Sequence, residues 1–352
     1  MLINQLFDPP ELPDRTVEQD GTVLLHGKVG IPVTDPLLDG HYPGFPLVPG
    51  LFLVQHVHAL ASTALERRAD LPLVLEKARF LRPVRAGEQV LVTVRLTSAG
   101  PAGPAGPDTP ATLDTLATAE LRADGQPAAE FRIRYPGGTP VQAGPTGTAG
   151  TGDGTTTDTT TTGDATEPAG TLHRIKATIP HRHPVLLVDR VVEVEPGSRL
   201  LARKAVTAAE PCYAWLDDDA PAERYAYPAG QLLESWAQAA VLLACWQRPN
   251  PYVLTGKVAL LAAVKDSRVL AAVHPGQVVE HQVRIVRDLG DTVILGGSST
   301  ADGRPVLAVG QFTVALRGAE VLRAEPTGDG TGDRTADGSS DRTDDRTNDG
   351  EG

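Results

Sequence analysis

His41 and Glu234 are the residues in this chain best suited to moving protons. An imidazole can take a proton near neutral pH, and a carboxyl group can give one once burial raises its pKa. The first stretch of interest runs His41-Tyr42-Pro43-Gly44-Phe45-Pro46-Leu47-Val48-Pro49-Gly50, with Gln55 six positions past Pro49. The second holds Pro228-Ala229-Gly230-Gln231-Leu232-Leu233-Glu234, with Glu234 six positions past Pro228. Between His183 and His274 there is no histidine. One half therefore carries a histidine with a neutral amide, and the other a carboxyl group with no histidine. If the halves pair like two subunits of a dimer, the two groups complete one site for acid–base chemistry.

The other polar residues have plainer readings. His56 and His58 flank the core face of a helical run and read as packed or solvent-facing. His181 and His183 precede a strand-like run and read as structural hydrogen-bonding groups. Asp217, Asp218 and Asp219 form an acidic loop without a partner cluster, which is usually just solvated. Cys212 and Cys245 have no metal-like spacing and read as buried thiols in a reducing compartment. No phosphate-binding glycine loop, serine triad or dinucleotide fingerprint is present, and no metal or cofactor is expected.

The elements that must position the pair repeat along the chain. A proline opens a long apolar helix twice, at Pro49–Arg67 and at Pro228–Trp246, where its fixed φ and missing N–H suit a helix start. Each helix is followed by an Arg with a Gly eight positions on, Arg79 to Gly87 and Arg268 to Gly276. Alternating strand patterns come next: Gln89–Leu96 and Thr115–Tyr135 in the first half, Val278–Arg287 and Thr292–Arg317 in the second. Asp124-Gly125 and Asp302-Gly303 mark the same tight turn. Each body thus reads as one long helix and a strongly curved, mostly antiparallel sheet, an α+β arrangement.

The bodies are expected at 1–135 and 171–324. Between them, 136–170 is nearly all Gly, Thr, Pro, Ala and Asp, too poor in apolar area to order, and reads as a tether. Residues 325–352 read as a disordered acidic tail, and Gly100–Pro110 as an enlarged hairpin loop. Charge follows the same division. Of the net −12, residues 145–170 hold four acids and no base, and residues 325–352 hold nine acids and three arginines. The folded part is nearly neutral, which with the lack of a basic aromatic patch argues against a nucleic-acid partner. With no signal-like or membrane-length apolar run, a cytoplasmic protein is expected.

The stretch His41–Gly50 resembles the active-site segment of the FabA/FabZ-type 3-hydroxyacyl-acyl-carrier-protein dehydratases, His-Phe-Pro-Gly-x-Pro-x-x-Pro-Gly, with Tyr42 in place of Phe. Glu76–Val84 is similar to the family's strand after the central helix, Ile179–Arg190 to its N-terminal opening, and Glu234–Ala240 to its acid-bearing helix. The resemblance implies the hotdog fold, a curved sheet around a long helix, here as a tandem (double) hotdog. It implies one composite site between the halves, with His41 as the histidine and Glu234 as the acid. It also implies an acyl carrier protein as partner and no cofactor.

In that reading the Leu47 carbonyl orients the imidazole. The N–H of Gly50 at a helix start receives the charge on the thioester oxygen. Phe45, Phe52 and Trp236 line an apolar tunnel for the acyl chain. The second site, Gln55 with the Ala220–Tyr227 loop, is expected to be dead, since an amide does not titrate. Dehydration to a trans-2-enoyl thioester is the leading function. A hydratase or thioesterase of the same fold, or a non-catalytic hotdog that binds carrier protein, are the alternatives. The fused form suggests a specialised pathway such as polyketide or unusual lipid assembly. The halves form an intramolecular pseudo-dimer, with further oligomerisation left open.

Overall fold

Alternation of buried and exposed side chains builds the strands. In β4 (Gln89–Ala99), Val90, Val92, Val94 and Leu96 point inward and their neighbours outward. In β10 (Val278–Asp288), Val279, His281 and Val283 do the same. Successive side chains on a strand face opposite ways, so one face of the sheet must be covered. Two apolar helices cover it, α3 (Gly50–Ala64) and α5 (Ala229–Cys245). Both are buried along nearly their whole length, as an all-round apolar pattern requires.

The computed structural model describes residues 2–7, 13–68, 70, 72–100, 113–137, 170–253 and 255–323. In the first half the remaining elements are α1 (Leu2–Phe7), β1 (Asp14–Val17), β2 (Val23–Gly30), α2 (Pro36–His41), β3 (Leu73–Phe80), β5 (Asp114–Ala123) and β6 (Gln126–Tyr135). In the second they are α4 (Leu172–Thr178), β7 (Arg190–Glu195), β8 (Arg199–Ala205), β9 (Lys257–Val269), β11 (Thr292–Ala301) and β12 (Arg304–Gly318). The tether expected at 136–170 and the tail at 325–352 lie almost wholly outside the described residues, as does most of the loop at Gly100–Pro110.

All twelve strands form one antiparallel sheet in the order β1-β2-β4-β5-β6-β3-β9-β12-β11-β10-β8-β7. The order is palindromic: β1 through β6 in the first half match β7 through β12 in the second. The halves meet where β3 pairs with β9, from Leu73 opposite Val269 to Arg79 opposite Ala263. The turns at Asp124-Gly125 and Asp302-Gly303 have positive φ at both residues, which the right-handed twist of a hairpin favours. This is a double hotdog, two curved half-sheets joined edge to edge around a pair of helices.

α3 and α5 pack against each other across the same seam. Their approach is close at Gly230, where an added Cβ would lie 2.6 Å from the Gln55 Cβ and 2.7 Å from the Leu51 carbonyl oxygen. The Gly230 N–H donates to the Gln55 side-chain oxygen at 2.9 Å. His41 ends a short helix, α2. Asp35 caps α2 by accepting from Leu37 N, and Pro36 starts it. The same Asp35 carboxyl also accepts from Leu2 N at 2.8 Å, tying α1 to α2.

Gly230→Ala tests the seam. Helix propensity alone favours alanine by about 1 kcal/mol. The contacts with the neighbouring helix outweigh that preference, so a net loss of about 1–3 kcal/mol is expected. It should appear as a lower urea midpoint at unchanged m-value.

Candidate active site

His41 is the last residue of α2, and Glu234 lies in the second turn of α5. Their polar atoms meet across the seam. One ligating atom each from His41, His181 and Glu234 lies within 4.8 Å of the other two. The three side chains border a cavity of about 420 Å³, which Leu47 and Gly50 also line. Its apolar wall includes Leu53, Phe80, Val241, Leu261, Phe312 and Val314. The cavity opens where β3 stops short. Pairing of β9 with β3 ends at Ala263, while β9 itself reaches back to Lys257, and Ala259–Ala262 line the cavity instead.

Three contacts fix the His41 ring. Its Nδ1 lies 3.1 Å from the Leu47 carbonyl oxygen, so Nδ1 carries the proton and donates, leaving the Nε2 lone pair free. Tyr42 stacks on it, with ring centroids 4.5 Å apart and planes 4° from parallel. His181 meets it edge-on at 5.2 Å. The Tyr42 hydroxyl in turn donates to the Ala259 carbonyl on β9 at 2.5 Å. The residue beside His41 is therefore tied to the half that carries Glu234, a bond that Phe at this position cannot make. The Arg182 N–H adds a second tie, donating to the Gly40 carbonyl at 2.7 Å.

Glu234 is buried in α5 and accepts from Gln238 Nε2 at 3.1 Å. Gln238 also donates to the Val185 carbonyl at 2.7 Å and accepts from Leu187 N at 2.8 Å, fastening the helix to the segment that holds His181. On the other side of α5, Ser235 bonds His281 Nε2 at 2.8 Å, and His281 Nδ1 bonds Ser299 at 2.7 Å. These groups fix the rotation of α5 and so the direction of Glu234.

Burial sets the protonation states. Desolvation raises the Glu234 carboxyl to about 7, against the opposing hydrogen bond from Gln238. Desolvation also lowers His41 to about 4, against the Leu47 carbonyl, which favours the charged ring. His181 is pushed well below its usual range by burial, by His41 and by Arg182. Around pH 6 the site thus holds two neutral imidazoles and a mostly protonated carboxyl group.

Several sequence expectations need correction. Phe45, Phe52 and Trp236 do not line this cavity. Phe52 sits on the α1-facing side of its helix, edge-on to Phe7 at 5.0 Å. Trp236 faces the sheet, donating its indole N–H to the Gln282 carbonyl at 3.2 Å and packing edge-on to Phe312 at 5.4 Å. Phe45 packs in a small separate cluster with Tyr42, Leu47 and Val258. Helical rotation decides the directions of Phe52 and Trp236, and apolar type alone does not report it.

His181 is not merely a structural group beside a strand. It stands beside both His41 and Glu234, its ring 5.2 Å from the first and its Nε2 3.7 Å from Oε1 of the second. The motif around it was legible, but its place across the site from His41 was not. His56 and His58 are buried in the core, bonded to the Gln5 carbonyl and to the Tyr135 hydroxyl. Cys212 and Cys245 are free and buried. Gln55 does not border the cavity, and its oxygen is taken up by Gly230 N–H. No helix among the described residues is long and apolar enough to cross a membrane.

Carboxyl carbon and imidazole NMR titrations check the burial argument. Glu234 should titrate near 7 and His41 near 4. A Glu234 midpoint close to 4.5, its ordinary value, would show the site open to water.

The sequence model of ApeI-like dehydratases matches residues 17–102. A 3-hydroxyacyl-[acyl-carrier-protein] dehydratase FabZ from Magnetococcus marinus is 33% identical over 139 residues, covering 40% of this chain and 86% of the relative. The protein of that name from an Anaeromyxobacter species is 36% identical over 146 residues, covering 42% of this chain and 90% of its own length. Among solved structures, the dehydratase domain from the CurJ module of curacin polyketide synthase superposes with a TM-score of 0.56 at 12% identity. That match covers 90% of this chain and 99% of the other. The bifunctional dehydratase-cyclase domain of ambruticin biosynthesis gives 0.53 at 18% identity, covering 89% and 98%. These structures share the double-hotdog architecture, while the sequence relatives match this chain closely over most of their own length. The chain belongs to the FabZ-type dehydratase family.

Proposed function

We propose that the protein dehydrates a 3-hydroxyacyl thioester carried on an acyl carrier protein, at one composite site assembled from both halves. The halves are hotdog units at 1–135 and 171–324, and the site lies at their seam. The reading rests above all on one observation: His41 and Glu234, from different halves, border a single cavity within reach of one small substrate.

Elimination of water removes a weakly acidic α-proton and expels hydroxide, a poor leaving group. His41 Nε2 takes the α-proton, because Nδ1 is committed to the Leu47 carbonyl. Glu234, kept protonated by burial, gives its proton to the departing 3-hydroxyl, so the C–O bond breaks and water leaves. The C–H electrons form the 2,3-double bond, giving the trans-2-enoyl thioester. Enolate-like charge on the thioester oxygen meets the N–H of Gly50, at the first turn of α3, where helix N–H groups lack intrahelical partners. The Phe80 ring packs where a side chain on residue 50 would stand, 2.7 Å from an added Cβ, so glycine leaves this backbone reachable. The acyl chain follows the wall formed by Leu53, Phe80, Phe312 and Val314. A cytoplasmic setting and a free or further associated pseudo-dimer belong to the same proposal.

Purified full-length chain with a 3-hydroxyacyl carrier-protein substrate, monitored by mass spectrometry for loss of water, is the direct test. His41→Ala and Glu234→Gln should each lower kcat/KM by about 10²–10⁴-fold. Gln55→Ala should retain most activity while losing about 1–3 kcal/mol of stability, because it orphans the Gly230 N–H. Survival of Glu234→Gln with loss in Gln55→Ala would reverse the assignment of the two halves.

The pH profile follows from the two shifts. The acid must hold its proton, so activity falls above about 7. The base must be free of its proton, so activity falls below about 4. A bell in kcat/KM with its plateau between these limits is expected. A rate still climbing at pH 8 would contradict Glu234 as the acid.

A further inference from the structure

Dehydration as described employs His41 and Glu234 and leaves His181 without a task. Yet His181 is buried beside them, and its Nδ1 has no hydrogen-bond partner. A buried polar atom without a partner costs free energy. Its other nitrogen, Nε2, is 3.7 Å from the Glu234 carboxyl oxygen. With His41 these groups make a two-imidazole, one-carboxyl set whose donor atoms lie within 4.8 Å of one another.

The surroundings suit a metal ion. The His41 Nδ1–H donates to the Leu47 carbonyl, which is how metal-binding imidazoles are commonly oriented. The Glu234 oxygen is held by Gln238, a second support of the same kind. The set is nitrogen-rich with a single carboxyl group. That disfavours Mg²⁺ and Ca²⁺, which need several oxygen ligands, and favours Zn²⁺. Tetrahedral zinc holds such ligands about 2.0–2.2 Å from the metal, so the three side chains need only draw inward. The fourth position faces the cavity of about 420 Å³.

We propose that His41, His181 and Glu234 form a Zn²⁺ site that excludes the acyl thioester, so that zinc reversibly inhibits the enzyme. Zinc would occupy the base's lone pair and the acid's oxygen together, which makes the inhibition competitive. The inhibition half of this proposal rests on the dehydratase reading above, whereas the binding half does not.

The test uses the full-length chain stripped with a chelator. Zn²⁺ uptake is measured by competition with a chromogenic chelator, and site geometry by the visible absorption of the Co²⁺-loaded protein. One equivalent of Zn²⁺ should bind, displacing Co²⁺ from a four-coordinate site. His181→Ala and the isosteric Glu234→Gln should each weaken uptake by at least roughly tenfold. Replacing both cysteines by serine should leave it unchanged. In turnover, Zn²⁺ should raise KM for the carrier-bound substrate without lowering kcat, with reversal by chelator and no effect of Mg²⁺. Absence of stoichiometric uptake would overturn the site, as would uptake that survives both His181→Ala and Glu234→Gln. An active enzyme indifferent to zinc also sinks the proposal. An inactive protein that binds zinc through these three residues sinks the dehydratase reading and leaves the metal site standing.

Discussion

The hydrogen-bonded ladder between β3 and β9 is the constraint on which the site depends. It joins two half-sheets into one and sets the register between residues far apart in the chain. A slip of one residue would turn every side chain of a strand to the opposite face, and the helices above would lose their seat. The ladder also ends early, leaving Ala259–Ala262 of β9 to border the cavity. Tyr42 bonds that same stretch, so the strand that joins the halves also holds the segment next to His41. α3 and α5 then close the seam from within, as near as Gly230 permits.

Placing the polar groups at this seam gives them properties they lack in water. The same low-polarity surroundings act in opposite directions on acid and base, because each penalises the charged form. The carboxyl group keeps its proton to about 7, and the imidazole stays neutral down to about 4. Both shifts hold the group in its neutral form, without either touching a charged partner. Holding such groups dry requires that their other atoms be satisfied. Leu47, Gln238 and the chain of Ser235, His281 and Ser299 supply that support. The Nδ1 of His181 is the exception and has no hydrogen-bond partner.

Duplication explains the asymmetry. Palindromic strand order shows two equivalent frames, and a symmetric dimer would carry two equal sites. Covalent joining frees the two halves from that symmetry. In the second half, two short 3₁₀ turns, Pro211–Tyr213 and Ala222–Tyr225, occupy the stretch corresponding to α2. Gln55, at the place equivalent to Glu234, accepts from the Gly230 N–H at the start of the neighbouring helix.

The sequence by itself determined a good deal. Two apolar helices opened by proline, strands of period two and the paired Asp-Gly turns gave both half-sheets, because these patterns report local backbone preference and a buried face. The prolines and glycines from Pro43 to Gly50 marked the segment of His41, and the equal spacing from Pro49 and Pro228 marked Gln55 and Glu234 as counterparts. Tertiary structure alone decided the rest. Phe52 and Trp236 turned away from the cavity, since helix rotation is fixed by what packs on each face. His181 arrived beside His41, 140 positions away in sequence, because the joined sheet brings the opening of one half to the α2 end of the other. Local pattern encodes which face is buried, and it carries no record of which distant group will share that burial.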